Sequence, residues 1–299
     1  MTYSDWMDGR NRCPACARLD TKKTGLTTEG RYSLLCCGHC HSQFFVDISA
    51  EPSDSESRYK WESYKLDVYS DEAVRRGFDS RYQYMIDRAR SEVGKLESVL
   101  DIGCGIGNFL ELAVSQGLKA VGSDVSARAV AEARRRGLRV HAAEELGVSV
   151  SDGSFDALTM WDVIEHVGEP KEMLASVVPK VRRGGALLFE TPDGGFPIRT
   201  LLLWLNKQTR GRVDLTGPMY YWEHKVYLTE AGISALLDAV GVDIVHLERQ
   251  TTVRAKMQRE FAVMHSKKGR VLERTWPALE AIFRRAGRGN KLLVIARRR

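Results

Sequence analysis

This chain of 299 residues is long enough for one large domain with a small additional module. No run approaches the roughly 18 apolar residues that a membrane-spanning helix needs, and the polar start, MTYSDWMDGRNR, lacks the apolar stretch of a signal peptide. These features argue against an α-helical membrane protein and predict a cytoplasmic one.

The net charge of +6 is spread unevenly along the chain. From Thr251 onward, 14 Lys and Arg face three Glu, so this region carries +11 and the preceding residues carry −5. A solvated basic surface is the common meaning of such a region. Nucleic acid and an anionic membrane surface remain as possible partners.

Two CxxC motifs stand near the N-terminus, separated by twenty residues: Cys13, Cys16, Cys37 and Cys40. In a cytoplasmic protein this spacing predicts a zinc ribbon whose four thiolates hold a structural Zn²⁺. We assign residues 1–50 to this module, with Tyr32, Leu34 and Leu35 in its strands. The alternatives are a redox CxxC and replacement of one ligand by a neighbour of the second motif: Cys36, His39 or His41.

Residues 51–95 are predicted to form a linker and helices that cover a cleft. The polar segment Glu51–Ser57 is typical of a linker. An amphipathic helix is predicted over Asp71–Val93. Between the two lies an aromatic and apolar group whose members we expect in packing rather than in ligand contact: Tyr59, Trp61, Tyr64, Leu66 and Tyr69.

The stretch VLDIGCGIGN, from Val99 to Asn108, combines a buried strand with a glycine-rich turn before a helix. Such a turn lets a ligand approach the unpaired amides of a helix N-terminus. A dinucleotide fingerprint needs its third glycine where Asn108 stands. The glycines here are Gly103, Gly105 and Gly107, and the preceding acid, Asp101, suits a cationic amino-acid ligand better than a pyrophosphate.

The rest of the chain alternates helices with strands. Strands are predicted at Lys119–Ser123, Leu138–Ala142, Phe155–Met160, Ala186–Glu190, Val242–Leu247 and Lys291–Ala296. Helices are predicted at Ala127–Arg136, at Lys171–Val181 with RRGG ending it, and at Thr229–Ala239. A basic helical stretch, Val253–Arg285, is predicted to be interrupted near Gly269 and Pro277. The alternation predicts an α/β fold with a doubly wound parallel sheet that binds its ligand at the carboxyl ends of the strands.

The glycine turn resembles motif I of the class I S-adenosylmethionine-dependent methyltransferases. WDVIEHVGEP, from Trp161 to Pro170, resembles the segment after the fourth strand in methyltransferases similar to the ubiquinone O-methyltransferases. The resemblance covers roughly Val99 to Arg298 and implies a seven-stranded Rossmann-like methyltransferase sheet over residues 96–299. It also implies that S-adenosyl-L-methionine is the cofactor.

Several residues are expected to contact this cofactor. Asp124, at the end of the second strand of the sheet, is placed to accept hydrogen bonds from the ribose hydroxyls, although it could also cap the following helix. The resemblance places Ala143 and Glu144 against the adenine and Trp161 and Asp162 along the cofactor. The resemblance places the pair Glu165 and His166 at the start of the next helix, at the floor of the cleft. The alternative is that the pair is only a helix-start interaction.

Residues 194–228 form an insertion that we expect to face the methyl acceptor. Its apolar run, PIRTLLLWLNK, is interpreted as a buried lid helix, with peripheral membrane contact as the alternative. An aromatic group around His224 follows: Tyr220, Tyr221, Trp222 and Tyr227. Desolvation among these rings should lower the pKa of His224 and keep it neutral. His224 is therefore the predicted general base and His166 the alternative.

The predicted function is methylation of a hydroxyl on a sugar, glycoconjugate or secondary metabolite. The first rival is an RNA methyltransferase that uses the zinc ribbon and the basic C-terminal region. Against it, TMWDVIEH stands where an NPPY-type base-methylation motif would follow the fourth strand. The second rival is a catalytically inactive scaffold, which the presence of Asp101, the glycine turn and Asp124 disfavours.

Overall fold

The computed structural model describes residues 12–48, 68–212, 216–217, 219–220, 223–263 and 267–299. The linker predicted at Glu51–Ser57 lies outside these residues. So do six residues named above: Tyr59, Trp61, Tyr64, Leu66, Tyr221 and Trp222.

Secondary-structure elements alternate along most of the described chain. The strands are β1 (Thr21–Thr28), β2 (Tyr32–Cys37), β3 (Gln43–Asp47), β4 (Ser98–Ile102), β5 (Lys119–Asp124), β6 (Val140–Ala142), β7 (Phe155–Trp161), β8 (Val181–Pro192), β9 (Val226–Tyr227), β10 (Val242–Gln250) and β11 (Lys291–Arg298). The helices are α1 (Glu72–Val93), α2 (Asn108–Ser115), α3 (Ala127–Arg135), α4 (Leu146–Ser149), α5 (Pro170–Val177), α6 (Pro197–Gln208), α7 (Glu230–Asp238), α8 (Arg254–Val263) and α9 (Lys267–Arg285). Short 3-10 turns occur at Ala143–Glu145, Ile164–His166 and Val178–Lys180.

The chain divides into two compact units. The ribbon unit takes the described parts of Met1–Ser53, Asp162–Ala175 and Thr191–Asp243. The sheet unit takes the described parts of Asp54–Trp161, Ser176–Glu190 and Ile244–Arg299. Each unit has its own β-sheet and its own apolar core.

The ribbon unit contains a four-stranded sheet in the order β1-β2-β3-β9. Strands β1, β2 and β3 form an antiparallel meander, and β9 pairs antiparallel with β3. The sheet therefore joins the cysteine-rich segment to a strand from much later in the chain. Its apolar core consists of Leu26, Tyr32, Leu34, Phe45, Tyr220 and Tyr227.

The larger sheet has seven strands in the order β10-β11-β8-β7-β4-β5-β6, which confirms the predicted α/β class and the Rossmann-like sheet. The pairs β4–β5, β4–β7, β5–β6 and β7–β8 are all parallel. Their central strands carry fully buried apolar residues such as Leu100, Leu158 and Leu187. Continuous apolar strands are typical of a parallel sheet that is covered on both faces.

Helix α1 provides one of the covering layers of the sheet unit. Asp71 caps it by accepting hydrogen bonds from the amides of Ala73 and Val74 at 2.9 and 3.1 Å. Its buried side chains recur at helical spacing and belong to the core of the sheet unit: Val74, Phe78, Tyr82, Met85, Ile86 and Ala89. The amphipathic helix predicted from Asp71 to Val93 therefore has the expected buried face.

A buried ion pair ties α1 to the sheet. Arg81 Nη1 lies 3.0 Å from Glu190 Oε2, and the two side chains are 9% and 3% exposed. Arg81 also donates to the carbonyl oxygen of Thr251 at 2.6 Å, and Lys291 Nζ lies 3.9 Å from the same carboxylate. Because both charges are removed from water, each depends on the other for compensation.

Two sequence predictions of element ends are wrong. Residues 182–185, RRGG, lie inside β8 rather than at the end of a helix, because the chain turns into the strand at Val181 and Gly184 adopts a φ of +73° there. Helix α9 runs through Pro277 without ending. Helix α8 ends at Val263 and α9 begins at Lys267, and residues 264–266 lie outside the described residues. Gly269 lies inside α9.

Helix α6 differs from the buried lid predicted for its apolar sequence. Leu201 and Trp204 are 51% and 54% exposed, whereas Arg199 and Asn206 are buried. The helix is therefore only partly buried, with Leu203 packed against the apolar core of the ribbon unit. None of the described helices is both long and apolar enough to cross a bilayer.

Arg81→Met is expected to lower the free energy of unfolding by roughly 3 to 5 kcal/mol, because it leaves the Glu190 carboxylate buried without its main cationic partner. Arg76→Met is the matched control, since Arg76 is 72% exposed in its pair with Glu72, and we expect it to change stability by no more than about 0.5 kcal/mol. Urea unfolding of both variants measures the difference. Equal stabilities would show that the buried pair does not hold α1 in place.

Candidate functional site

The carboxyl ends of four parallel strands line up at one edge of the large sheet. Asp101 of β4 is level with Gly122 of β5 and with Thr159 of β7. Asp124, the last residue of β5, is level with Ala142 at the end of β6. This register collects the predicted binding residues of the sheet unit at a single edge, which is where ligands bind in open α/β sheets.

The glycine turn after β4 uses backbone angles that other residues rarely adopt. Gly103, Gly105 and Gly107 have φ values of +69°, +55° and +88°. A Cβ on Gly107 would lie 2.2 Å from Leu138 Cδ1, so a larger residue here would require Leu138 to move in addition to adopting a strained backbone conformation. A Cβ on Gly105 would meet no atom within 4 Å, so the face of Gly105 opens onto free space.

Asp124 connects this turn to the next strand. Its Oδ2 accepts a hydrogen bond from the Gly105 amide at 2.8 Å, and its Oδ1 accepts one from the Ser126 amide at 2.8 Å. Each carboxylate oxygen has a second lone-pair direction. Asp124 can therefore hold the turn in shape and still accept hydrogen bonds from a diol. Ser126, not Asp124, provides the side-chain cap of α3.

Asp101 is a buried carboxyl group beside the same turn. It is 1% exposed, and Thr159 Oγ1 donates to its Oδ1 at 2.7 Å. Its Oδ2 is buried and accepts no hydrogen bond from the described residues. Burial raises the pKa of Asp101 to about 8, so at neutral pH the carboxyl group holds its proton. A cation placed against it would favour the charged form.

Trp161 ends β7 among aromatic rings. Its ring centroid is 4.6 Å from that of Tyr82 and 5.3 Å from that of Phe109. Its indole Nε1 is buried and has no hydrogen-bond partner among the described residues. Ala143 is half-buried and Glu144 exposed in the 3-10 turn that follows β6.

Asp162 directly follows Trp161 and belongs to the ribbon unit. It is 9% exposed and has a φ of +53°, in the left-handed region that side chains other than glycine seldom adopt. Such strain costs on the order of 1 to 3 kcal/mol and occurs most often at functional sites.

The four predicted cysteines form one cluster in the ribbon unit. Cys13 Sγ is 3.7 Å from Cys40 Sγ, and Cys16 Sγ is 3.6 Å from Cys37 Sγ. All four sulfur atoms lie within 4.8 Å of one another, and none is in a disulfide. A tetrahedral Zn²⁺ with bonds of about 2.3 Å would place its sulfurs about 3.8 Å apart. The cluster thus fits a zinc ribbon, and the alternative ligands Cys36, His39 and His41 lie outside it.

The two predicted histidines meet in a second cluster of the ribbon unit. The ring centroids of His166 and His224 are 4.6 Å apart. One carboxylate oxygen of Glu165 and one ring nitrogen of each histidine lie within 4.8 Å of one another. We call these three residues the Glu-His-His cluster. Glu165 has no exposed surface, and His224 is 6% exposed.

Close backbone packing brings His224 to this position. The Gly194 amide donates to the carbonyl oxygen of Leu228 at 2.8 Å, and a Cβ on Gly194 would lie 2.4 Å from the carbonyl oxygen of Tyr227. Only glycine permits this approach. Thr191, three residues before Gly194, donates to Glu165 Oε2 at 3.0 Å. The end of β8 and the segment that follows it therefore both contribute to the position of the Glu-His-His cluster.

Arg199 supports the aromatic group beside His224. Its guanidinium carbon lies 4.3 Å from the ring centroid of Tyr227 and 5.1 Å from that of Tyr220. Tyr220 donates from its hydroxyl group to Gln43 Oε1 at 2.5 Å, and burial raises its pKa to about 12. The sequence gives no signal for this role, because Arg199 stands at the start of an apolar run and its ring partners lie more than twenty residues further on.

An open pocket of about 430 Å³ lies between the ribbon strands and α6. Its lining includes Cys36, His41 and Gln43 from the ribbon and Trp204 and Lys207 from the helix. The insertion that was expected to face the acceptor therefore contributes to a pocket within the ribbon unit.

The sheet order, the glycine turn and the acids at the strand ends together define a class I methyltransferase fold. A family model described as a methyltransferase domain matches residues 72–247. The chain belongs to this family.

Ubiquinone biosynthesis O-methyltransferases are among the curated relatives. The protein from Aromatoleum aromaticum is 36% identical over 118 residues, which cover 37% of this chain and 50% of that protein. The protein from Sodalis glossinidius is 30% identical over 123 residues, covering 37% and 47% of the two chains. The chain thus spans about half the length of these curated relatives.

Solved structures share the fold at low sequence identity. Magnesium protoporphyrin IX methyltransferase from Synechocystis, solved with bound SAH, is 18% identical with a TM-score of 0.50, covering 82% of this chain and 95% of that chain. Phosphoethanolamine N-methyltransferase 2 from Haemonchus contortus, solved with S-adenosyl-L-methionine, is 17% identical with a TM-score of 0.51, covering 73% and 52%.

Proposed function

We propose that this protein is an S-adenosylmethionine-dependent methyltransferase that acts on a hydroxyl group of a sugar, glycoconjugate or secondary metabolite. The observation that carries the proposal is the edge of the large sheet, where the open face of Gly105 lies beside the carboxylate of Asp124 and the buried Oδ2 of Asp101. The likeness to ubiquinone O-methyltransferases supports a hydroxyl acceptor.

The residues at this edge suit the parts of the cofactor. Asp101 would bind the ammonium group of the methionine moiety, which would draw the proton from its carboxyl group. Asp124 would accept hydrogen bonds from the ribose hydroxyls. Ala143 and Glu144 would contact the adenine, and Trp161 and Asp162 would line the cofactor. The glycines of the turn would allow its close approach.

When bound, S-adenosylmethionine supplies a methyl group on a positively charged sulfur. The protein contributes mainly alignment of the acceptor, which is worth roughly 7 to 11 kcal/mol in comparable reactions. An acceptor hydroxyl must also lose its proton. His224 is the proposed general base and His166 the alternative, and their contact within one cluster supports a shared role.

Part of the basic C-terminal region is engaged in ion pairs within the sheet unit. Arg254 pairs with Glu280 at 2.8 Å, and Arg259 pairs with Asp71 at 2.7 Å. These contacts favour the structural interpretation of the region over RNA binding.

The cysteine cluster is proposed to hold one structural Zn²⁺. Four thiolates leave no open coordination position, so this ion would contribute folding free energy, about 10 to 16 kcal/mol in comparable modules, and no chemistry. The ion would hold together the turn before β1 and the turn after β2.

Asp124→Ala is expected to weaken S-adenosylmethionine binding by more than tenfold, since a charge-assisted hydrogen bond contributes about 1.5 to 3 kcal/mol. Asp156→Ala is the control. Asp156 also accepts hydrogen bonds from two backbone amides, those of Glu97 and Ser98, but it lies at the opposite end of the strands.

Gly105→Val should weaken S-adenosylmethionine binding as well. Its control is Gly137→Val, at a position with a φ of +78° and equally open space.

Titration calorimetry measures these affinities, and circular dichroism checks that each variant is folded. Normal binding by both Asp124→Ala and Gly105→Val would overturn the cofactor assignment.

Cys37→Ser should lower the zinc content of the purified protein from one ion per chain to well below one. Cys36→Ser should retain the ion, because Cys36 lies outside the cluster although it adjoins Cys37. Elemental analysis of protein purified without a chelator measures both variants. Absence of zinc from the parent protein would rule out the structural site.

Incubation with methyl-labelled S-adenosylmethionine and fractionated extract should place label in a glycan or small-molecule fraction. Label in RNA alone would overturn the proposed acceptor class.

Once the acceptor is identified, His224→Gln should bind the cofactor normally and lose turnover by at least about a hundredfold. His246→Gln, a change on β10 in the sheet unit, is the control. Turnover by His224→Gln within a few fold of the parent would show that His224 is structural.

A further inference from the structure

The Glu-His-His cluster combines one carboxylate with two imidazoles in a buried part of the ribbon unit. We propose that it binds one divalent transition-metal ion, at a site separate from the cysteine cluster. The side chains offer the ligand set of two histidines and one carboxylate, which leaves coordination positions open for further ligands.

The hydrogen bond of His166 determines the tautomer of its neutral ring. Nδ1 lies 2.9 Å from the carbonyl oxygen of Glu223. A carbonyl oxygen only accepts, so Nδ1 carries the proton and donates. The lone pair then lies on Nε2 of the neutral ring. Histidines that bind metal ions commonly have this arrangement, in which the second ring nitrogen donates to a backbone carbonyl and fixes the ring.

The carboxylate of Glu165 is oriented in a similar way. Thr191 donates to Oε2 at 3.0 Å, and both residues are completely buried. A hydrogen bond to one carboxylate oxygen fixes the plane of the group and directs the other oxygen. A cation bound there would also offset the cost of burying the negative charge.

The spacing of the three side chains is compatible with an ion after small adjustments. A metal ion with bonds of about 2.1 Å brings neighbouring ligands to about 3.0 to 3.5 Å from one another. The three ligand atoms lie within 4.8 Å of one another, so rotations of the side chains would close them around the ion. The mixed nitrogen and oxygen ligands suit Mn²⁺, Fe²⁺ or Co²⁺, whereas the four thiolates favour Zn²⁺.

The catalytic consequence of this ion rests on the proposed function. A metal ion at an open site lowers the pKa of a hydroxyl group that coordinates it. An acceptor hydroxyl that coordinates the ion would release its proton to a water molecule, and His166 and His224 would then act as ligands of the ion in place of the direct base proposed above. The binding of the ion can be tested without cofactor or acceptor.

The test titrates the full-length, zinc-loaded protein with Mn²⁺ and follows free Mn²⁺ by electron paramagnetic resonance. Mn²⁺ is the probe because it binds oxygen and nitrogen ligands and competes poorly for four thiolates. We expect one Mn²⁺ per chain, with binding weakened at least about tenfold in Glu165→Gln and in His224→Gln. His246→Gln should bind as the parent does.

Two results would overturn the proposal. One is the absence of Mn²⁺ binding by the parent at about 1 mM, and the other is undiminished binding by both cluster variants when they remain folded. Glu165→Gln preserves side-chain size, so it separates loss of the ligand from loss of packing. Since the readout needs neither methyl donor nor acceptor, its failure leaves the methyltransferase proposal intact. Failure of methyl transfer would likewise leave the metal site standing.

Discussion

The hydrogen bond from the Gly105 amide to the Asp124 carboxylate fixes the geometry on which the proposed cofactor site depends. It joins the turn after β4 to the end of β5, two strands that pair in parallel register. A turn with three glycines at positive φ would otherwise sample many backbone conformations. The carboxylate selects one of them, and it faces the open space beside Gly105. A single side chain thus shapes the turn and supplies a potential ligand contact.

The same edge holds polar groups that folding alone does not satisfy. Asp101 Oδ2 and Trp161 Nε1 are both buried without a hydrogen-bond partner among the described residues. Buried polar atoms of this kind destabilise a protein unless a ligand satisfies them. The raised pKa of Asp101 has the same origin, since its carboxyl group lacks the solvent or charge that would stabilise its ionised form. The unsatisfied polar groups of the empty site therefore lower the stability of the fold. Packing elsewhere in the sheet unit must compensate for this cost.

The ribbon unit carries two clusters with different ligand chemistry. The cysteines provide four soft sulfur ligands with a closed tetrahedral arrangement. The Glu-His-His cluster provides nitrogen and oxygen ligands, held by hydrogen bonds from Thr191 and to Glu223. The β3–β9 pairing places strands from both parts of the chain in one sheet. In this protein a ribbon-type module shares its core with the segment that contains His224, so the two are a single structural unit.

The sequence by itself determined the features that depend on local patterns. The glycine turn, the alternation of strands and helices and the CxxC spacing each follow from a few neighbouring residues, and the structure reproduces all three. The tertiary structure decided what depends on distant residues. The contact of His166 with His224, the pairing of β3 with β9 and the burial of Arg199 each require long-range packing. The partial exposure of α6 and the passage of α9 through Pro277 also differ from local expectations, because tertiary context can outweigh the preferences of a single helix.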